Sequence, residues 1–487
     1  MKINAVFKGE LLKDNILGIA MELVDDWFEH PSESPVRVHF SDLIGVYLNA
    51  WATPNCNPYG SGVNLAAELD GLGLPHRDVP SDTMVRDARV FKPVEEQWIK
   101  DSEKGREINP EIQRQVKRME EQTSTKLVAI ANRVVKDLGW LQEDLLATID
   151  GHGVPSYGKA SMLVNVPEEY VHQLSTSEVY TKPGVRNKKT KIGDTIQKGS
   201  VPENKGTWRK HEWFHLTLHN KVTKESLPIA VLFRVGTKAQ EMQRAIDVLQ
   251  HLVQAPKCIL MDREFTAAYD CLKVLRDYAD RRGVYIIGPM KAHTVHVDAA
   301  KKIWRERSLE AVVEHDAPLW YKMDSYHSEK DSAGGHFIGH FFQRLVDKGI
   351  KNPEKWQAKT VVTAKGDPVP VQVFMLYCNL NVELEDASWM LKVYARRWAC
   401  ETYFQVYSQH IGRSQSDQFT TRCFGYAGGH VLLAMYGAWR AYRTNQHSLT
   451  VLDPEADETA LRVEMRAFLG RLRGQIRRQF LAEAKAG

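Results

Sequence analysis

The hydrophobic pattern changes character near residue 145. Before it the apolar positions follow a helical period, interrupted by the Pro/Asn/Gly-rich stretch WATPNCNPYGSG. In VPSDTMVRDARVF, Ser81 is placed as an N-cap for a short amphipathic helix carrying Arg86 and Arg89. A short arginine helix of this kind is a candidate DNA reader, but a plain surface helix is the favoured reading. A long charged helix then ends in KLVAIANRVVKDLGW. From 145 the chain reads strand, strand, strand, helix, strand, helix, strand up to residue 290. LLATID, HEWFHLTLHN and LPIAVLFRV are the first strands. Met242, Ile246, Leu249 and Val253 recur at helical spacing, and KCILMD and VYIIG suit strands buried on both faces. FTAAYDCLKVLRDYADRRG is a helix stopped at Gly283. An antiparallel start that feeds a parallel continuation is an α/β layout. Residues 291–370 hold short strand-like pieces such as VVEHDAPLWYKM and KTVVTA, as expected of an inserted β-rich subdomain. VQVFMLYCNL resumes the strand pattern, and a long helix begins near Asp386.

HEWFHLTLHN contains H-E-x-x-H, which holds zinc only when His211 and His215 project from one face of a helix. Alternation fits better. Glu212, Phe214, Leu216 and Leu218 fall on one side, and Trp213, His215, Thr217 and His219 on the other, near helices or solvent. On a strand His211 and His215 stand about 13 Å apart, too far to share an ion about 2 Å from each nitrogen. A zinc hydrolase is therefore the disfavoured reading.

Composition adds bounds. With 487 residues, 43% hydrophobic and 26% charged, the chain is long enough for two to four units with sizeable cores. Net charge is only +4, so any attraction to nucleic acid must be local. Residues 181–210 supply it, with nine Lys/Arg against Asp194 and Glu203 and no apolar period. A basic loop of this kind tracks phosphates, and Lys188, Lys189 and Lys191 are its densest cluster. In the tail Leu461, Met465, Leu469, Leu472, Ile476 and Phe480 form a helical stripe, beside seven Lys/Arg against two Glu. Such a helix docks on the chain, a second subunit or DNA rather than a membrane. Six cysteines without a C-x-x-C pair, and a start without an apolar h-region, point to a cytoplasmic protein with reduced thiols. No apolar run is long enough to span a membrane.

Three carboxylates have a chemical context. Asp150 ends LLATID, Asp262 ends KCILMD, and Glu401 lies in YARRWACETYFQVYS. Acids leaving the carboxyl ends of adjacent strands gather at one sheet edge, and a helix crossing that edge completes the cluster. Such a cluster suits two hard divalent cations that promote phosphodiester cleavage. Tyr394, Arg397, Glu401 and Ser408 fall within about 60° of arc on a helix, so they share a face. A guanidinium fixed beside a metal-binding Glu holds a DNA phosphate.

With IDGHGVPSYGK around Asp150, NKGTWRKHEWFHLTL, ILMDREF around Asp262 and YARRWACETYF around Glu401, the chain resembles the DDE transposases of bacterial and archaeal insertion sequences. It looks closest to the cut-and-paste group. The likeness covers roughly 145–445. It implies an RNase H-like mixed sheet flanked by helices, with an inserted β-rich subdomain and helical N- and C-terminal regions. The implied division is a helical DNA-binding region at 1–145, catalytic core at 146–290 and 371–445, the insertion at 291–370, and a basic helical tail at 446–487. It further implies that Asp150, Asp262 and Glu401 bind two Mg²⁺ or Mn²⁺, and that Tyr394 and Arg397 contact DNA near the cleaved end. Arg263 and Glu264 assist. Double-stranded DNA is the implied partner, as terminal inverted repeats and as target, with a homodimer in the complex. The chain departs from the family at Ser408, where a lysine is usual, and at His152, two positions after Asp150. His410 or a basic-loop lysine is a possible substitute. Trp304, Trp320 and Trp356 are open candidates for stacking on an extruded base. The rival reading is a transposase-derived DNA-binding protein without catalysis.

Overall fold

The computed structural model describes residues 3–4, 6–29, 39–54, 56–74, 82–91, 110–156, 172–173, 209–234, 237–266, 268–289, 319–323, 336–343, 359–362, 368–380, 382, 387–398, 402, 419–452 and 457–486. A 10-stranded mixed sheet organises them. Strand β1 (Leu145–Ser156) runs antiparallel to β3 (Arg209–Asn220) and parallel to β5 (Cys258–Met261), and β5 is parallel to β6 (Tyr285–Pro289). β3 also pairs antiparallel with β2 (His172–Gln173) and β4 (Ser226–Phe233). On the far side β10 (Pro368–Cys378) runs antiparallel to β6, to β8 (His336–Gln343) and to β9 (Lys359–Val362), and β7 (Leu319–Met323) pairs with β8. The antiparallel start and parallel continuation are thus as expected. Among the described residues of 291–370, the strands extend this sheet through β10 instead of forming a second one.

Strands this short and this apolar need cover on both faces. One face carries α7 (Lys238–Leu249) and α9 (Tyr269–Asp280). A capping box starts α7: Thr237 Oγ1 accepts from Gln240 N, and Gln240 Oε1 accepts from Thr237 N at 2.9 Å. The helix stops at Leu249, so Val253 does not continue the stripe and is 45% exposed. Asn132 ends it, receiving the Val253 N–H at 2.7 Å and donating to the His251 carbonyl at 2.9 Å. The other face takes α10 (Ala387–Ala395), α11 (Phe419–Asn445) and the long α6 (Pro110–Leu138).

The zinc-like stretch lies wholly within β3. Residues 213–220 are buried on both sides, since α11 covers the side that carries the histidines. His215 Nε2 lies 2.9 Å from the Tyr426 hydroxyl, and His219 Nδ1 lies 2.8 Å from Ser226 Oγ. These two histidines are core groups with side-chain partners, and residues 213–220 present no solvent-facing row.

The N-terminal helices α1 (Phe7–Leu12), α2 (Ile16–Val24), α3 (Phe40–Trp51) and α4 (Pro58–Gly71) share one core with α11 and the tail helix α12 (Glu458–Ala486). Leu461, Met465, Leu469, Leu472, Ile476 and Phe480 are all buried, so the tail docks on the chain itself. Asp14 ties the two ends together, receiving Arg471 and Trp439 Nε1 at 2.9 Å each. The short helix α5 (Asp82–Asp87) does not present Arg89 to a ligand. Arg89 is 1% exposed, donates to Thr421 Oγ1 at 2.7 Å and stacks on Phe424. Arg86 is partly exposed and pairs with Asp87 at 3.2 Å. Ser81 lies outside the described residues.

At Gly428, α11 approaches Trp51 of α3 closely. A Cβ there would fall 2.3 to 2.5 Å from three atoms of the Trp51 indole. That ring is held among Trp27, Phe28, Tyr47 and Phe424. Gly428→Ala gains about 1 kcal/mol of helix propensity, yet overpacking at about 1–3 kcal/mol is expected to win. A lower urea midpoint is the expected result; a higher one would show that the indole can move.

Candidate active site

The parallel register pairs Ile149 with Met261, so Asp150 and Asp262 are the next residues on adjacent strands. Neighbouring strands lie about 4.8 Å apart, so the two carboxylates leave the sheet side by side. Leu146 and Leu260 share the face they leave from, where they pack with Met390, Val393 and Tyr394 of α10. Asp150 Oδ1 accepts from Gly151 N at 3.0 Å, and Asp262 Oδ1 accepts from Arg263 N at 2.6 Å. Asp262 also begins the single-turn helix α8 (Arg263–Thr266), its carbonyl accepting from Phe265 N at 3.1 Å.

Arg397 reaches in from just beyond α10. Its Nη1 lies 3.4 Å from Asp150 Oδ2, and its Nε donates to the Tyr394 hydroxyl at 3.0 Å. Both side chains are buried. Burial pushes the Tyr394 phenol up to about 12; Arg397 pulls it down, while Asp262 and Asp150 both add to the rise. Both aspartates are therefore close enough to act electrically on one hydroxyl. Beside them opens a cleft of about 500 Å³ lined by Asp262, Arg263, Pro289, Leu391, Tyr394 and Trp398, among others.

A second charged group adjoins the first. Glu264 on α8 receives Arg234 Nη1 on both oxygens at 2.9 Å, and Lys238 Nζ at 3.3 Å. Glu241 of α7 completes the set, 3.5 Å from Arg234 and 3.7 Å from Lys238.

The structure thus brings together Asp150, Asp262, Tyr394, Arg397 and Arg263. Glu401, Lys188, Lys189, Lys191, Ser408, His410, Trp304 and Trp356 lie outside the described residues, and so does the side chain of Trp320. Among the described residues no group of three or more His, Cys, Asp or Glu stands together as a metal site. Sequence reading missed Trp398, which lines the cleft at 55% exposure, and Arg234. Each carried a signal: Trp398 directly follows Arg397, and Arg234 directly follows a continuously apolar strand.

Residues 179–421 match the family model described as a transposase DDE domain. Asp262 and Glu401 fall within that span, and Asp150 lies upstream of it. No curated protein matches the chain. A solved structure similar to it is the piggyBac transposase synaptic complex with hairpin DNA, at a TM-score of 0.47 and 10% identity. That match covers 98% of this chain and 82% of the other. Among the described residues no helix is long and apolar enough to cross a membrane.

Proposed function

The chain belongs to the DDE transposases, and from that membership we propose that it cuts the ends of an insertion sequence and joins the freed 3′-hydroxyl to target DNA. The observation that carries this reading is the juxtaposition of Asp150, within β1 just past its last pairing with β5, and Asp262, directly after the end of β5, with Arg397 and Tyr394 beside them. The strand order β4-β3-β1-β5-β6, three antiparallel and then two parallel, supports an RNase H-like core. Partly exposed carboxylate oxygens in such a pair are the hard donors that Mg²⁺ and Mn²⁺ take. Asp150 and Asp262 would hold two such ions, with Glu401 as the third carboxylate. When bound, the ions neutralise charge on the attacking and leaving oxygens of an in-line displacement.

The chain's own groups have separable tasks. Arg397, fixed by Tyr394, orients the Asp150 carboxylate and offers a phosphate a guanidinium that needs no further ordering. Tyr394 stays protonated at working pH, so its hydroxyl can still donate to a phosphate oxygen. Arg263, exposed at the cleft, adds attraction for the backbone. Lys188, Lys189 and Lys191 are assigned to the same backbone, the helical region before 145 to binding the ends, and a homodimer to pairing two of them.

The direct test incubates the protein with DNA carrying the inverted repeats that flank its reading frame. Strand nicks at the repeat ends are expected with Mg²⁺ or Mn²⁺ and not with EDTA. Tight end binding without nicking under any divalent ion would instead favour the DNA-binding reading, which Ser408 motivates.

A further inference from the structure

We propose that Arg234 and Glu264 form a positioning clamp that holds Asp262 in place beside Asp150, with Gly151 as the gap that admits it. The inference rests on reading the two aspartates as metal ligands. Glu264 sits two residues after Asp262 on α8, and Gly151 directly follows Asp150 on β1. A Cβ on Gly151 would stand 2.8 Å from Glu264 Oε1 and 3.2 Å from Arg234 Nη1. The carboxylate of one segment is therefore seated against the backbone of the other. Arg234 comes from a third element, at the exit of β4, and is itself secured: its side chain is 9% exposed, packs on Phe265 and reaches Glu241. On the opposite flank of α8 the Thr266 hydroxyl donates to the Pro289 carbonyl of β6. The single turn that carries Asp262 is thus fastened to β1 and β4 on one side and to β6 on the other.

Charge gives the clamp a second task. Glu264 is the nearest additional acid in sequence to Asp262, and it is spent on Arg234 and Lys238. Two cations face two acids here, so the group adds little net field to the aspartate pair. Released, Glu264 would be a mobile carboxylate beside the ligands, competing for the cation in the wrong geometry. Losing the clamp should therefore raise the metal requirement while leaving the attraction for DNA unchanged.

The experiment measures Mg²⁺ and Mn²⁺ titrations of end nicking, together with Mn²⁺ binding to the DNA-free protein by electron paramagnetic resonance. Wild type, Glu264→Gln, Arg234→Met, Gly151→Ala and the exchanged pair Arg234→Glu with Glu264→Arg are compared, with melting curves for each. Glu264→Gln, Arg234→Met and Gly151→Ala are each expected to raise the half-saturating metal concentration by about 10-fold or more. End affinity should hold within about twofold, and the exchanged pair should recover part of the loss. Half-saturation equal to wild type in Glu264→Gln, which keeps the side chain's shape, overturns the clamp alone. So does a loss that follows DNA affinity or melting temperature in every variant. Absence of both nicking and Mn²⁺ binding in the wild type overturns the reading of the aspartates, and the clamp with it.

Discussion

Asp262→Asn is expected to lower end nicking by at least about 10²-fold while DNA affinity stays level or rises. The carboxamide keeps the side chain's shape and can still accept from Arg263 N, the bond that seats Asp262 at the head of α8. It loses the charge that a divalent ion needs from its ligand. Binding is the informative control. A carboxylate facing a phosphate repels it, so removing one charge from the Asp150–Asp262 pair cannot weaken attraction for the backbone. Gel-shift and nicking assays on the same preparation separate the two effects. Nicking equal to wild type would remove Asp262 from the chemistry. Equal loss of binding and nicking would make it a structural residue.

Arg440→Met is expected to cost about 3–5 kcal/mol of stability, the largest effect foreseen outside the cleft. Arg440 is 1% exposed. Its Nε lies 3.2 Å from Glu225 Oε2, its Nη1 3.0 Å from Glu464 Oε2, and its Nη2 donates to the Thr450 carbonyl at 3.1 Å. Methionine keeps most of the apolar stem and leaves two acids without their cation. Burial already pushes the Glu225 carboxyl up to about 7 from 4.5, with Arg440 pulling it down. A raised carboxyl binds its proton in the folded state before the unfolded chain does. Its contribution to stability is therefore full below about 4.5 and is lost as pH rises through about 7. Glu120, also raised to about 7 by burial, acts in the same direction. Without Arg440 the Glu225 carboxyl rises further, so the deficit should be larger at pH 8 than at pH 5. Urea melts of both proteins at the two pH values measure it. A deficit that shrinks as pH rises would show that Glu225 is not the group left uncompensated.

The parts of the fold that were legible in sequence are those set by short-range periodicity. Four continuously buried residues in β5, the alternation in β3 and the stripe of α12 each follow from which positions must be apolar. The same patterns placed Asp262 at a strand exit, as found. Asp150 was expected at one too, but β1 continues past it to Ser156 on β3, and it is the β1–β5 pairing, which stops at Ile149 and Met261, that makes the two acids neighbours. What alternation could not reveal is how many faces are covered. β3 read as having a face toward helices or solvent without deciding between them; α11 supplies the helix, and His215 and His219 are buried almost as fully as Leu216 and Leu218. Arg89 looked like a surface cation because its cover, Thr421 and Phe424, lies more than 300 residues away. The Arg397–Asp150 pair and the Arg234–Glu264 clamp were equally hidden. Their partners are 247 and 30 residues apart and meet only once the sheet forms. Glu401 was placed by its motif, and its side chain lies outside the described residues.

The shared core of the N-terminal helices and α12 has a consequence for synthesis on the ribosome. Leu17 N donates to Gln475 Oε1 at 2.7 Å, Gly45 packs near Phe480, and Asp14 holds Arg471. The first helices to emerge therefore wait for more than 400 further residues before their apolar faces are closed. A nascent chain halted before residue 461 would leave the faces of α2 and α3 that α12 packs against open to chaperones and proteases. The cell would then hold either finished molecules or rapidly cleared fragments, with few stable partial products.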